Sequence, residues 1–536
     1  MISDPAARRF VMWTGVFLGL LTFAWLFPGL DDVGIAWDEP YYFDSSRRIQ
    51  EWEARVLTGP DRAHQFTQDV VRETFNWRRY WNPHPPAYKL AMSATEAAFG
   101  RWTGEVVGFR VAPLAFFSLL VAGVTLLAGL TWGRAAGLGA GLSLLLMPRV
   151  VGHAHIGATD TPTAAAWFLA SVGLALYVVE GRRRFLALGA AGLGLALATK
   201  FTGYLIPLAM LLWMIAYGRS RRAVAGAVLW GLGGLVVAWA LNPLMWHDPV
   251  AETVRLFRDS LARDEVIPIA TYYMGRVWGY RVPGHHVVVM TLITVPLSIL
   301  VLAGWGAAAI ARRWEDRPVG GLCLSQVLFF TALMAAPGSP NHDGVRLWLP
   351  MFPFVALLAG RGFGSLIRVT GSRIGQARRL LASLVLGALF FLPPYLQTIH
   401  VAPFYLSYYN ELIGGVRGAA KAGMETTYWL DAVTPAFLDR VGEVLPPGAR
   451  LSAWPNAEHY EWLQLNGMLR EDIVVTERMP AEYFLLVARK ASFRPYHWRI
   501  YENVRPELAV ELDGVELVGL YEWEPDEAVE PDSEDP

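Results

Sequence analysis

The sequence predicts a polytopic α-helical membrane protein of about 11 to 13 membrane-spanning helices, with a small α/β domain outside the membrane at the carboxyl end. Its 536 residues are 54% hydrophobic and only 17% charged, with a mean hydropathy of +0.31. Soluble domains are less apolar than this. Long apolar runs recur until about residue 400, and short alternating patterns typical of strands replace them afterwards.

About eleven apolar runs approach the length that a helix needs to cross a hydrocarbon layer of ~30 Å. They cover residues 11–30, 110–131, 135–149, 163–179, 185–199, 203–217, 223–241, 287–309, 320–336, 345–360 and 380–398. The first run follows Arg8 and Arg9, and no small-residue cleavage site comes after it. We therefore interpret it as an uncleaved span rather than a signal peptide.

Clusters of arginine predict which loops face the cytoplasm, because basic residues favour that side of a membrane. The clusters fall in alternate short loops, at Arg8 and Arg9, Arg134, Arg182 to Arg184, Arg219 to Arg222, Arg312 and Arg313, and Arg361 through Arg379. The other loops are then predicted to face out. These outer segments are residues 31–109, 150–162, the turn at Lys200, residues 242–286, residues 337–344 and everything after residue 399.

The change of pattern near residue 400 predicts the domain boundaries. They are a membrane domain over residues 1–399 with outer loops 31–109 and 242–286, an outer α/β domain over residues 400–523, and an acidic disordered tail over residues 524–536. Within the outer domain, residues 509–523 are typical of two strands joined at Asp513-Gly514, a favoured hairpin turn. The apolar spacing from Leu430 to Val444 predicts a helix.

Composition excludes several classes of function. The net charge of −1 argues against nucleic acid as a partner, because phosphate backbones are bound by concentrated basic surfaces. The single cysteine, Cys323, lies in an apolar run, so neither a disulfide framework nor a metal-thiolate cluster is expected. His153 and His155 have no nearby Cys or Glu to complete a tetrahedral site, and we predict neither a metal nor a cofactor.

The first outer loop carries the densest group of polar residues. Asp38 and Glu39 lie a few residues beyond the first apolar run and are followed by Pro40. A carboxylate near the bilayer surface and shielded from water is a competent base for transfer to a hydroxyl acceptor. The alternative is that both acids only cap the helix after the span, because Pro40 suits its first turn.

Four basic side chains are candidates for binding a phosphate. His84 and Lys89 belong to the first outer loop, and Lys200 and Arg346 lie at outer ends of predicted spans. The planar guanidinium of Arg346 can contact two oxygens of one phosphate. The alternatives are a rigid turn at His84 between prolines and snorkelling of Lys200 to the lipid headgroups.

Asp160 precedes Thr161-Pro162 at the start of another predicted span. This position suits a helix cap, and an acid at the end of a span can also serve as a functional group. We therefore regard Asp160 as a candidate for both roles.

The order of these motifs resembles family 39 glycosyltransferases and their bacterial aminoarabinose-transferase relatives, which belong to the GT-C superfamily. The motifs are Asp38-Glu39 after the first span, His84-Pro85-Pro86, Asp160-Thr161-Pro162 at a span start, Ala198-Thr199-Lys200 at a span end, and His342 to Pro353. Two further segments, Tyr272 to Pro296 and Tyr408 to Trp429, are also similar to the family. The resemblance extends to about residue 430.

The resemblance implies a GT-C fold and an inverting transfer of a sugar from a polyprenyl-phosphate donor to a lipid, glycan or protein acceptor. It implies that Asp38 takes the acceptor proton and that Asp160 supports the site or orients the acceptor. Glu39, next to Asp38, is a further candidate for a catalytic residue. The resemblance assigns the donor phosphate to His84, Lys200 and Arg346, and Lys89 is a further candidate because it lies in the same outer loop as His84. The candidates for lining the substrate site are Tyr41, Tyr272, Tyr273, His342 and Asp343. The expected location is the bacterial inner membrane, among membrane lipids, with the active site outside.

Two other classes of function also fit a chain with many spans. One is a transporter or flippase of lipid-linked sugars, which is expected to have acidic residues near span middles and an inverted repeat. The other is a non-catalytic lipid-binding scaffold. The acidic pair at the exit of the first span favours the enzyme over both.

Overall fold

The computed structural model describes residues 4–75, 84–261, 269–279, 281–313, 317–373, 376–476 and 481–522. Within those ranges, seven helices are long and apolar enough to cross a membrane, and counting two bent helix pairs as one span each gives nine. The predicted polytopic helical membrane fold is confirmed. Among the described residues, this number of candidate spans is lower than the predicted value of about 11 to 13.

Helices in the first half of the chain are α1 (Pro5–Leu26), α2 (Glu39–Thr58), α3 (Gln68–Phe75), α4 (Ala87–Thr103), α5 (Glu105–Trp132), α6 (Arg134–Leu145), α7 (Pro148–His155), α8 (Asp160–Glu180), α9 (Arg183–Leu197), α10 (Ile206–Tyr217), α11 (Arg221–Leu241) and α12 (Pro249–Leu261). Later helices are α13 (His286–Thr294), α14 (Leu297–Arg312), α15 (Arg317–Ala335), α16 (Phe352–Arg373), α17 (Gln376–His400), α18 (Gly415–Lys421), α19 (Pro435–Val444), α20 (Ala457–Leu465) and α21 (Pro495–Asn503).

Short and broken helices explain the smaller number of spans. Helix α9 has only 15 residues, and α10 is preceded by a 3₁₀ turn from Phe201 to Leu205. Proline breaks two other runs, since its ring cannot continue a helix without a kink. Helices α6 and α7 meet at 64° where Pro148 begins α7, and α13 and α14 meet at 116° across Pro296.

The prediction that a cytoplasmic loop begins at Arg361 is wrong. Helix α16 continues through Arg361, which is buried, and ends only at Arg373. Close packing of small residues explains this extension. A Cβ added at Gly362 would collide with the Leu302 carbonyl, so only glycine lets α16 approach α14 this closely.

The segment after residue 400 forms a five-stranded mixed sheet. Its strands are β3 (Arg450–Trp454), β4 (Val474–Thr476), β5 (Tyr483–Val487), β6 (Leu508–Leu512) and β7 (Val515–Glu522), in the spatial order β4-β3-β5-β7-β6. An earlier hairpin, β1 (Thr271–Tyr273) with β2 (Arg276–Trp278), is separate from it. The predicted hairpin turn is confirmed, because Asp513 and Gly514 both adopt positive φ between β6 and β7. The predicted acidic tail lies outside the described residues.

Two backbone hydrogen bonds join the loop after α1 to the segment that precedes α19. Gly34 N donates to Asp431 O, and Trp37 N donates to Trp429 O, each over 2.9 Å. The residues immediately before Asp38 are therefore held against the carboxyl-terminal part of the chain.

Candidate active site

Asp38 lies at the start of α2, where its carboxylate meets a guanidinium. Its Oδ2 is 3.0 Å from Nη2 of Arg346, and 26% of the Asp38 side chain is exposed. The Asp38 side chain makes no capping hydrogen bond to α2, so the helix-capping alternative is wrong for this residue. Asp38 instead presents a carboxylate at the accessible edge of a buried cation.

Glu39 points away from this contact and is fully buried. Its carboxylate binds Arg110 through two bonds, from Nε over 2.8 Å and from Nη2 over 2.6 Å. The same carboxylate accepts hydrogen bonds from the backbone N–H groups of Ala36 and Gly157. Because both oxygens are occupied by protein donors, the geometry favours a structural role for Glu39 over the catalytic role expected from the sequence.

Arg346 is the centre of the site. Its Nη1 lies 3.0 Å from Asp343, its Nη2 lies 3.0 Å from Asp38, and its Nε lies 3.7 Å from Asp160. The guanidinium carbon is 4.3 Å from the ring centroid of Trp429. Arg346 begins the turn of helix that leads into α16, and only 4% of its side chain is exposed. One planar cation therefore holds three carboxylates in fixed positions.

Asp160 and Lys200 form the second buried charge pair. Lys200 Nζ lies 2.6 Å from Asp160 Oδ1, and the exposed fractions of the two side chains are 8% and 3%. The snorkelling alternative for Lys200 is therefore wrong. Asp160 is the first residue of α8, and its carboxylate faces Lys200 and Arg346. The Asp160 carboxylate therefore contacts both the Lys200 ammonium group and the Arg346 guanidinium group.

His84 and Lys89 occupy the wall beside this cluster. Both are buried, and Lys89 Nζ donates to the backbone carbonyl of His84 over 2.7 Å. Burial lowers the pKa of Lys89 to about 7. Within the described part of the chain, Lys89 pairs with no carboxylate. The His84 ring stacks on Tyr42, whose hydroxyl is within electrostatic range of Asp38 and Arg346.

The residues expected to line the substrate site fall into two groups. Tyr41 and Asp343 lie near the cluster, with Asp343 bound to Arg346 and Tyr41 within electrostatic range of Asp38. His342, which precedes Asp343 in the chain, is buried. Tyr272 lines a narrow cleft together with Asp343. Tyr273 is instead buried, with its ring 4.7 Å from that of His286.

The structure adds Arg489, a residue that no sequence pattern indicates. Its Nη2 lies 3.2 Å from Asp343 Oδ1, and its guanidinium carbon is 5.1 Å from the Trp37 ring. The 3₁₀ turn that follows Arg489, from Lys490 to Ser492, is stabilised by Glu425. The Glu425 carboxylate accepts hydrogen bonds from the backbone N–H groups of Lys490 and Ala491. The carboxyl-terminal domain therefore contributes a third cation to the cluster.

His153 is the second addition. It is buried at the end of α7, its ring lies 5.5 Å from that of Trp429, and it is within electrostatic range of Asp160. Among the described residues, neither imidazole nitrogen has a hydrogen-bond partner. Such a group is costly to bury unless it binds something. The sequence singled out His153 only as a metal candidate, and the described residues contain no group of three or more metal-ligating side chains.

The complete cluster contains three carboxylates, Asp38, Asp160 and Asp343, and three cations, Lys200, Arg346 and Arg489. The members come from the start of α2, the starts and ends of membrane helices, and the sheet domain. Asp38 is the most exposed of the three acids. This arrangement places a partly exposed carboxylate beside buried cations.

The chain matches a family model and several solved structures, and a search of curated proteins found no match. It is similar to two crystal structures of ArnT from Cupriavidus metallidurans, one bound to undecaprenyl phosphate and one in the apo state. Each shows 14% identity to this chain and a TM-score of 0.49, and the match covers 95% of this chain and 97% of the ArnT chain. The apo oligosaccharyltransferase of Archaeoglobus fulgidus shows 11% identity and a TM-score of 0.47. The match covers 90% of this chain and 70% of the oligosaccharyltransferase chain.

The family model of dolichyl-phosphate-mannose-protein mannosyltransferases matches residues 83–247. This match confirms the predicted family resemblance over the segment that contains His84, Asp160 and Lys200.

Proposed function

We propose that this protein is an inverting glycosyltransferase that moves a sugar from a polyprenyl-phosphate donor to an acceptor on the outer face of the bacterial inner membrane. The observation that carries the proposal is the Asp38 carboxylate, partly exposed at the edge of the buried Arg346–Asp160–Lys200 group. A transferase needs a base for the acceptor and cations for the leaving phosphate. The family match to mannosyltransferases supports the same class of reaction.

Asp38 serves as the general base in the proposed reaction. The acceptor hydroxyl oxygen attacks the anomeric carbon, and its proton passes to Asp38. The bond between the anomeric carbon and the phosphate oxygen breaks on the opposite side of the ring, so the configuration at that carbon inverts. The products are the glycosylated acceptor and the polyprenyl phosphate.

Arg346 and Lys200 stabilise the phosphate as it leaves with increased negative charge. Asp160 contacts both cations, with its two oxygens 2.6 Å from Lys200 Nζ and 3.7 Å from Arg346 Nε. This shared acid fixes the separation of the cations before the donor arrives. Cations that need no rearrangement are the most effective stabilisers of developing charge.

The flippase alternative has less support from the site. In that class, ionisable groups mark a path through the interior of the membrane. Here Asp38 lies before α2, Asp160 begins α8, and Arg346 begins the turn before α16. The carboxylates and cations therefore gather at the ends of helices, where a lipid-linked donor meets a polar acceptor.

A complementation experiment tests the proposed function. A strain that lacks the gene should accumulate a polyprenyl-phosphate sugar, and the wild-type chain should remove it. Asp38→Asn should fail to do so at equal membrane abundance. Asp44→Asn is the matched control, because Asp44 lies on the same helix and pairs with Arg47 at a partly exposed position. Full complementation by Asp38→Asn would contradict the proposal.

A further inference from the structure

His153 is a buried imidazole that the proposed reaction does not use. It lies in α7, and only 2% of the residue is exposed. Its backbone carbonyl accepts a hydrogen bond from Thr161 Oγ1 over 2.8 Å, which joins α7 to α8. Within the described ranges, neither ring nitrogen has a hydrogen-bond partner, and such a buried ring is costly unless a ligand pairs with it. The backbone of His153 is therefore held in place while the hydrogen-bonding groups of its ring are available to a ligand.

Tyr88 presents a second polar group of this kind. Its side chain is fully buried, and its hydroxyl has no hydrogen-bond partner in the part of the chain that the structure describes. Tyr88 belongs to α4 and His153 to α7, yet both lie within electrostatic range of Asp160. Two separate helices therefore bring hydrogen-bonding groups towards the acid that contacts Lys200 and Arg346.

Trp429 relates His153 to the cation that is proposed to hold the donor phosphate. The centre of the Trp429 ring lies 5.5 Å from the centre of the His153 ring and 4.3 Å from the guanidinium carbon of Arg346, so imidazole and guanidinium are within about 10 Å of each other. In a polyprenyl-phosphate donor, the sugar is bonded directly to the phosphate. A phosphate at Arg346 therefore brings the sugar hydroxyls close to His153.

The chemistry of these two side chains matches a sugar better than a phosphate. A neutral imidazole has one nitrogen that donates and one that accepts, and a tyrosine hydroxyl does both. Sugar hydroxyls also donate and accept, whereas the oxygens of an ionised phosphate only accept. The phosphate already has Lys200 and Arg346 as partners in the proposed reaction.

We propose that His153 and Tyr88 form the subsite for the donor sugar and exchange hydrogen bonds with its hydroxyls. This assignment rests on the proposed glycosyltransferase function and deepens it, because it separates recognition of the sugar from recognition of the lipid phosphate. A site with buried polar groups that pair with substrate hydroxyls discriminates against a ligand that lacks those hydroxyls. His153 and Tyr88 are therefore specificity-determining residues.

The test measures the affinity of the purified full-length chain for two ligands in the absence of an acceptor. One is the polyprenyl-phosphate sugar recovered from the strain that lacks the gene, and the other is the same polyprenyl phosphate after its sugar has been removed by hydrolysis. His153→Phe and Tyr88→Phe should each bind the sugar-bearing donor about tenfold more weakly, the effect of one lost hydrogen bond. Both variants should bind the sugar-free lipid as the wild type does. His153→Gln should retain part of the donor affinity, because an amide also donates and accepts.

His155→Phe is the matched control, because His155 is also buried on α7 but its Nδ1 lies 2.9 Å from the backbone carbonyl of Val151. It should leave the ratio of the two affinities at the wild-type value. An unchanged ratio in His153→Phe and Tyr88→Phe would overturn the sugar subsite, even where the wild type transfers sugar. Absence of sugar transfer by the wild type would refute the proposed function itself, and the subsite with it.

Discussion

At the scale of single residues, the site depends on one buried guanidinium. Arg346 contacts Asp38, Asp160 and Asp343 through different nitrogens, and its flat face lies over Trp429. A planar ion with several donors can make all of these contacts at once, and a compact ammonium cannot. The position of the proposed base is therefore set by the same group that is proposed to hold the phosphate.

Arg346→Lys should lower turnover by ~10²–10³-fold, the range observed when one stabilising donor to a developing oxyanion is lost. The physical reason is that one ammonium leaves some of the three carboxylates without a partner. The measurement is the rate of sugar transfer at saturating donor, normalised to folded protein. Arg417→Lys is the control, because Arg417 donates to the Asp513 backbone carbonyl in the exposed β6–β7 turn, away from the cluster. Unchanged turnover in Arg346→Lys would remove this residue from the site.

Glu39 is expected to stabilise the fold, whereas its neighbour Asp38 is the proposed base. A stability measurement separates these two roles. Glu39→Gln leaves the buried Arg110 cation without its charge partner, a change that costs ~3–5 kcal/mol when a buried pair is broken. We expect a markedly lower unfolding midpoint. Glu51→Gln should leave the midpoint unchanged, because Glu51 and Arg55 form a loose exposed pair. A Glu39→Gln protein as stable as the wild type would contradict the structural role.

At the scale of elements, the site forms where helix ends meet the sheet domain. The turn after β5 carries Arg489, and Glu425 fixes that turn by accepting two backbone hydrogen bonds. The Glu425 side chain is buried, and this burial raises its pKa from 4.5 to about 7. The folded state therefore favours the protonated carboxyl more than the unfolded chain does.

This shift predicts how stability changes with pH. Because the folded pKa of Glu425 is the higher one, its contribution is complete below pH 4.5 and is lost as the pH rises to about 7. Glu425→Gln should therefore flatten the fall of the unfolding midpoint across that window. Some slope should persist, because burial also raises the pKa of Asp431 to about 7. An exposed replacement, Glu443→Gln, should retain the wild-type slope, and an unflattened slope in Glu425→Gln would refute the prediction.

Sequence reasoning found the parts of the site that local patterns reveal. The pattern of apolar runs indicates four residues, because each lies near the beginning or end of a run, and the structure brings all four together. They are Asp38, Asp160, Lys200 and Arg346. Contacts between distant residues carry no such local signal. Arg110 lies 71 positions from Glu39, and Arg489 lies 146 positions from Asp343. The roles of these residues depend on tertiary packing alone.

At the scale of the whole molecule, the charges divide between the two ends of the bundle. The carboxylate and cation cluster lies at the end where α8 begins, and α8 ends just before Arg182 to Arg184. Such a division matches the preference of basic residues for the cytoplasmic side, and it supports the proposal that the active site is outside.

Reporter fusions test that orientation. A reporter active only outside the cytoplasm, fused after Pro536, should be active, and a cytoplasmic reporter at the same position should be silent. A fusion within the turn between α8 and α9 should give the reverse pattern, since that turn carries the arginine cluster. A cytoplasmic signal from the carboxyl-terminal fusion would place Asp38 inside and contradict the proposed topology.

The most direct test of the proposed function is a single-turnover reaction with purified protein and the polyprenyl-phosphate sugar recovered from the deletion strain. The wild type should cleave the donor, release polyprenyl phosphate and produce a glycosylated acceptor of inverted configuration. Asp38→Asn should bind the donor with similar affinity and cleave it ~10²–10⁴-fold more slowly, the usual loss of a general base. Cleavage by Asp38→Asn at the wild-type rate, or passage of the intact donor across vesicle membranes without cleavage, would contradict the account.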